Sequence, residues 1–359
     1  MDFGLKPMNI KEMVQTLSKA YVSLVQNHTP LRAFPSVMLW GPPGVGKSQG
    51  VRKIAEEIET KTGKKTVITD VRLLLFNPID LRGIPTANQD KTLAVWLKPQ
   101  IFQMDESADT VNILFLDEIS AAPPSVQAAA YQITLDRMVG EHRLPENCIV
   151  IAAGNRVTAR SVAYEMPRAL ANRLCHFEIK GEADAWHDWA ICKGIHPYVV
   201  GYLEYNAVAM MQIDPSNVGL AFPTPRSWEM VSNILNHVSD QMESVFSMIV
   251  GCIGYSTAAY FKEWVELCRK LPSVENFFSD AKELSVKAPE LLIALRAAIV
   301  DYVRRNPQKE LLDRSLDIAC NLPWSFRVRL LHDYDVIPDL RPLVRKNEVY
   351  RAALKEKIK

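Results

Sequence analysis

The chain has 359 residues, 42 of them basic and 41 acidic, for a formal net charge of +1; 48% are hydrophobic and 23% charged. A chain this long exceeds one small core, so two or three units of ordinary globular composition are expected. Near-neutrality excludes a chain-wide basic field for nucleic acid and disfavours that partner class, and no run approaches the ~20 apolar residues of a membrane span.

The N-terminal stretch MDFGLKPMNIKEMV has no apolar signal core, which argues for a cytoplasmic protein. Six cysteines (Cys148, Cys175, Cys192, Cys252, Cys268, Cys320) are scattered singly. Without a CxxC pair they read as reduced, mostly buried small hydrophobes rather than a zinc site or disulfide framework.

The first apolar run, Val37–Trp40, leads into Gly41, Pro42, Pro43, Gly44, Val45, Gly46, Lys47 and Ser48. These eight residues satisfy GxxxxGK[ST] in full, between a strand and a helix as the motif requires. The glycines let backbone N–H groups turn inward around phosphate oxygens, and the helix N-terminus adds favourable partial charge. Lys47 is placed to reach β- and γ-phosphates and Ser48 to ligate Mg²⁺; Gln49 completes the nucleotide-binding run. Val51, Ile54, Ala55 and Ile58 then recur at helical spacing until Gly63 closes the helix.

A second run occupies residues 66–69. Between residues 80 and 102, Gly83, Pro85 and the polar 88–91 suggest an extended excursion that turns back through residues 93–96. Residues 113–116 form a third run, and two carboxylates emerge at its carboxyl end. Asp117 is suited to hold Mg²⁺ through water and Glu118 to deprotonate an attacking water. A helix starts at Pro123 and Pro124, where missing N–H groups cost least. The fourth run, from residue 149, ends in Gly154 and Asn155. This asparagine either starts a turn or, if its strand lies beside that of Asp117, aims an amide at the attacking water and γ-phosphate. Residues 175–179 are the fifth run. Most of these runs are apolar on both faces and alternate with helices, which predicts a doubly wound parallel five-stranded sheet with ligands at the strands' carboxyl ends.

Beyond residue 180 the pattern is helical: 186–191, 198–206, 227–238 and 243–260, then a stretch punctuated by Pro289, Pro307, Pro323 and Pro338. The expected division is a nucleotide-binding domain at 1–180, an all-α lid at 181–270 and a helical extension at 271–359. In the lid, Thr224 reads as an N-cap and Pro225 as the first helical residue. Arg226 then projects from the first turn, able to engage a phosphate bidentately. Trp228 and Met230 read as lid core.

The phosphate loop, FLDE, AAGN, a following ALANR and a late TPRSWE together resemble the AAA+ ATPases, and more closely their MoxR-like branch. The hairpin-like residues 137–145 and the DLRGIP at 80–85 add to the likeness, which spans roughly residues 5 to 245. The resemblance implies a homo-oligomeric, hexameric ring with ATP, not GTP, between subunits. It places the arginine finger at Arg173, with Arg168 as a second basic candidate, and makes Arg226 the sensor-2 arginine, acting in cis or in trans. The excursion at 80–102 becomes an inserted hairpin or loop facing the ring axis or a client. Hydrolysis to ADP and phosphate would remodel or activate a protein client, with a von Willebrand factor A domain protein as the expected partner. No aromatic-glycine pore loop stands out, which weakens a threading role. Two other readings stay open: a helicase-like nucleic-acid motor, and a module that binds ATP as an assembly signal with little turnover.

Overall fold

A computed structural model describes residues 4–155, 166, 171–212, 219–279 and 288–356. The chain divides into two compact units, Met1–Gly181 and Glu182–Lys359.

The first unit carries strands β1 (Val37–Trp40), β2 (Lys65–Arg72), β3 (Ile84–Ala87), β4 (Ala94–Leu97), β5 (Thr110–Asp117), β6 (Met138–Val139), β7 (His142–Arg143), β8 (Cys148–Gly154) and β9 (Cys175–Glu178). Five of them form one parallel sheet in the order β2-β5-β8-β1-β9. All five apolar runs of the sequence are its strands. Their side chains alternate between two cores, as the two-residue period of a strand requires. Val37 and Leu39, Ile113 and Phe115, and Ile149 and Ile151 enter one core, while Met38, Leu114, Leu116 and Val150 enter the other. Both faces are therefore covered, and slipping any central strand by one residue would exchange its two sets of side chains.

Helices α1 (Ile10–Gln26) and α2 (Lys47–Thr62) contribute to the first core and α4 (Pro124–Asp136) to the second. Gly63 ends α2 in the left-handed region, and Pro123 precedes α4, as read above. Helix α1 lies outside the elements read from the sequence, although a capping box announces it. The Asn9 side chain accepts from Glu12 N–H at 2.8 Å, and Asn9 N–H donates to the Glu12 carboxylate at 2.9 Å. The chain just before it lines β9: Met8 N–H donates to Glu178 O, and Lys180 N–H to Met8 O. The excursion after β2 resolves into an antiparallel hairpin, β3 paired with β4, reached through the short helix α3 (Pro78–Arg82). A second small hairpin pairs β6 with β7.

The regular elements described in the second unit are all helices. Tyr202, Trp228, Phe261 and Trp264 pack edge-on or tilted around one another, and the same core continues through Ile299, Leu316, Leu330 and Tyr334. A buried ionic network ties helices on both sides of residue 270 together. Arg296 meets Glu204 and lies 3.5 Å from Asp333, and His187 Nε2 lies 3.0 Å from the other Asp333 oxygen. The segments before and after residue 270 thus share one core. Trp228 is buried as expected, but Met230 is 48% exposed, because position 230 falls on the outer face of the helix Pro225–His237.

The stretch read as one helix from residue 243 is two, Met242–Ile253 and Tyr255–Cys268. Gly254 separates them at φ 81°, ψ 157°, a conformation essentially confined to glycine, and a Cβ there would lie 2.9 Å from Ala221 O. Gly254→Ala should therefore cost about 1–3 kcal/mol. A lowered denaturant midpoint with an unchanged slope would register that loss; an unchanged midpoint would count against the strain. Of the cysteines, Cys148 and Cys268 are buried, while Cys192 and Cys320 are exposed, so burial is not the rule expected for them. Among the described residues no helix is long and apolar enough to cross a membrane.

Candidate functional site

Because β5, β8 and β1 are adjacent and parallel, the loops leaving their carboxyl ends converge. The loop after β1 is the glycine-rich one. A Cβ on Gly41 would stand 2.7 Å from Ile179 O, so the strand exit tolerates no side chain there. Gly44 and Gly46 have φ of 77° and 96°, and Gly46 is the N-cap of α2. This combination of positive-φ glycines and a helix start forms a concave frame for an anion.

Lys47, in the first turn of α2, is buried. Its ammonium donates to Gly41 O at 2.7 Å, to Pro42 O at 3.1 Å and to Asn155 Oδ1 at 2.9 Å. Ser48 Oγ donates to Asp117 Oδ2 at 3.1 Å, and the other Asp117 oxygen accepts from Glu118 N–H at 2.9 Å. Glu118 itself sits at φ 60°, a left-handed conformation unusual for a side chain of its length. The structure thus brings together four of the features read from the sequence: the glycine loop with Lys47 and Ser48, Asp117, Glu118 and Asn155. The neighbour relation on which Asn155 depended is present, since β8 pairs with β5. Pro43 and Gln49 are exposed at the loop's rim and on α2, while Val45 turns into the core.

Arg173 is placed elsewhere. It lies just before β9, whose first residue pairs with Val37 at the start of β1. The phosphate loop leaves the far end of β1, so Arg173 stands a strand's length, roughly 15 Å, from its own loop at about 3.3 Å per residue. Arg226 belongs to the second unit, exposed in the first turn of its helix. The cap there is as read: Ser227 N–H donates to Thr224 Oγ1 at 3.1 Å, and Thr224 N–H to Ser227 Oγ at 2.8 Å. Arg168 lies outside the described residues.

Two positioning side chains escaped the sequence reading. Ser120 Oγ accepts from Asn155 N–H at 2.9 Å and so fixes where that residue leaves β8. His176 Nδ1 accepts from Trp40 Nε1–H at 2.9 Å, which makes its other nitrogen the donor to Ala171 O at 2.6 Å. That neutral tautomer links the last residue before the phosphate loop to the segment holding Arg173. Nothing in the sequence signals it, because Trp40 and His176 meet only through the β1–β9 register.

A hydroxyl and a carboxylate side by side, Ser48 and Asp117, are hard oxygen donors that fit Mg²⁺. Among the described residues there is no cluster of three or more His, Cys, Asp or Glu able to hold a metal by itself. A cation shared with phosphate oxygens suits such a sparse donor set, since Mg²⁺ usually keeps few protein ligands.

Residues 36–176 match the family described as "ATPase family associated with various cellular activities (AAA)". The match holds the phosphate loop, the acidic pair, Asn155 and Arg173, and none of the helical unit. The match falls on the five-stranded parallel sheet that carries the phosphate loop, and the helical unit follows it in the chain. No curated protein matches the chain. Among solved structures, PCH-2 of C. elegans is similar at 14% identity, covering 73% of this chain and 68% of that one, with a TM-score of 0.35. A mutant form of Thermotoga maritima RuvB is similar at 15%, covering 82% and 86%, with 0.36. NtrX from Brucella abortus in complex with ADP is similar at 16%, covering 84% and 67%, with 0.36. Likenesses this low carry no functional inference to this chain.

Proposed function

We propose that the chain is an Mg²⁺-dependent ATP hydrolase whose nucleotide lies between two copies. The observation that supports this most is the convergence of Lys47, Ser48, Asp117 and Asn155, linked at 2.9 and 3.1 Å, from three adjacent strands. In this reading the N–H groups of the glycine loop cradle the phosphates, and Lys47 leaves the Gly41 and Pro42 carbonyls for the β- and γ-oxygens. Ser48 and Asp117 hold Mg²⁺, which supplies charge neutralisation of the phosphate oxygens when bound. Glu118 takes the proton of the attacking water, and Asn155 orients that water. Arg173 reaches the γ-phosphate held by a neighbouring copy, and Arg226 senses it from the helical unit in cis or in trans. The distance of Arg173 from its own loop supports a shared site.

The MoxR-like resemblance extends the reading to a hexameric ring that remodels or activates a protein client. The β3–β4 hairpin is then the segment offered to the client, and a von Willebrand factor A domain protein the partner class. Phosphate release from Mg·ATP, measured across chain concentrations, tests the shared site. Turnover per copy should rise with concentration, and an equal rate at extreme dilution would remove the neighbour from the chemistry.

Asn155→Asp offers a narrower check. A carboxylate 2.9 Å from the Lys47 ammonium would bind it as an ion pair and repel the incoming γ-phosphate. Affinity for a fluorescent ATP analogue should fall at least ~10-fold, about 1.4 kcal/mol. Wild-type affinity in the variant would place Asn155 away from the phosphates.

A further inference from the structure

At the amino ends of β1, β8 and β9, opposite the phosphate loop along the strands, lies a second cleft of about 290 Å³. Arg32, Arg137, Arg143 and Arg173 line it, with Asp136 as the one carboxylate. These four cations are not equivalent. Arg32 is already paired, 2.8 Å from Glu146. Arg137 is tied down, donating to Cys148 O at 3.0 Å and to Phe34 O at 3.2 Å. Arg143 and Arg173 have no hydrogen-bond or ion-pair partner among the described residues, and both are exposed. The cleft thus holds a fixed, half-buried positive charge behind two uncommitted guanidinium groups.

The frame that carries Arg143 is anchored. Leu144 N–H donates to Arg137 O at 2.8 Å, and His142 Nε2 lies 2.8 Å from Trp96 O on β4. Gly140, at φ 57°, lies so close to Arg82 O that a Cβ would come within 2.5 Å of it. The backbone that carries Arg143 is therefore fixed in place, and only its side chain has to be ordered on binding. The volume is at the small end for ligand sites and suits a phosphate group, not a whole nucleotide. Two planar forks beside a half-buried cation match the several oxygens of a terminal phosphate.

We propose that this cleft receives the terminal phosphate of a nucleotide held by a second copy of the chain, with Arg143 as a second cation acting in trans beside Arg173. The proposal rests on the shared-site ATPase reading and adds to it a residue and a pocket. The same chemistry could be met by free inorganic phosphate, so the test separates the two sources.

Three chains are compared: wild type, Arg143→Ala and Arg143→Lys. Arg143→Ala should lower turnover about 100- to 1,000-fold at saturating Mg·ATP, on the scale of losing one preorganised donor to a developing anion. It should also abolish assembly driven by a non-hydrolysable ATP analogue, read by sedimentation velocity. Lysine should restore only part of both, because it offers a point charge where the site wants a fork. Binding of the analogue to dilute single copies should be unchanged in Arg143→Ala, which shows that the variant folds and keeps its own phosphate loop. If an active wild type and Arg143→Ala turn over and assemble alike, the proposal is overturned and the ATPase reading survives. If wild type shows no turnover but its analogue-driven assembly needs Arg143, the proposal stands and hydrolysis falls. A wild type that neither turns over nor assembles overturns both. Calorimetric titration of Lys47→Ala copies with inorganic phosphate covers the other source: Arg143-dependent binding without assembly would assign the cleft to free phosphate and overturn the neighbour's nucleotide.

Discussion

Arg173→Ala is expected to lower ATP turnover by roughly 10³-fold or more, the scale on which arginine fingers act in phosphate-loop enzymes. Affinity of a single copy for nucleotide should stay within a few-fold of wild type. The two expectations follow from one geometry. Arg173 precedes β9, whose Cys175 pairs with Val37, whereas the phosphate loop begins after Trp40, at the other end of β1. A side chain a strand away cannot contact the phosphates of its own copy, so removing it leaves the cradle of Lys47, Ser48 and Asp117 intact. A mixing experiment isolates the trans contribution. Arg173→Ala copies keep a complete cradle, and Glu118→Gln copies keep the cation. Two preparations that are each inactive should therefore regain activity when combined, up to the fraction of interfaces that pair an intact cradle with an intact arginine. Unchanged turnover in Arg173→Ala, or no recovery on mixing, would remove Arg173 from the reaction.

The parts legible in the sequence are those where one residue type has one physical use. Buried parallel strands must be apolar on both faces, so the central β1, β5 and β8 announced themselves most clearly, while the part-exposed edge strands β2 and β9 read as shorter, mixed runs. An uninterrupted GxxxxGK[ST] has little meaning besides a phosphate cradle. Asn155 was readable only conditionally, because its role depends on β8 lying beside β5, a pairing that no local pattern encodes. His176 lies further out of reach: its two hydrogen bonds join Trp40 to Ala171 across the β1–β9 register. The helical unit shows the opposite failure. Residues 243–260 carry two glycines, Gly251 inside a helix and Gly254 between two, and propensity alone tolerates a mid-helix glycine at about 1 kcal/mol, so it does not say which one ends the helix. Only the packing of Ala221 against Gly254 shows that the chain turns there. Met230 fell on the outer face of an amphipathic helix whose phase Trp228 had correctly suggested, since two residues along a helix is a rotation of about 200°. Arg143 was noticed only as part of a hairpin; its neighbourhood with Arg173 needs the strand order.

Glu118→Gln should lower turnover by about 10² to 10⁴, the range for a positioned general base, while nucleotide binding and analogue-driven assembly persist. The amide keeps the size of the carboxylate but gives up its negative charge and with it the ability to take a proton. Backbone conformation supplies an independent readout. Glu118 occupies φ 60°, which costs a non-glycine residue about 1–2 kcal/mol, and it is held there between Asp117, whose oxygen accepts the Glu118 N–H, and Ile119, whose N–H donates to Ala153 O at 3.0 Å. Glutamine retains that strain, so Glu118→Gln should unfold at the wild-type midpoint. Glycine relieves it, offset by about 0.5–1 kcal/mol of extra chain entropy in the unfolded state. Glu118→Gly should therefore be as inactive as the glutamine variant yet at least as stable as wild type, whereas a residue retained for packing would lose stability on truncation. A destabilised Glu118→Gly, or a Glu118→Gln that hydrolyses ATP at the wild-type rate, would show that the strained turn serves the fold and that another group activates the water.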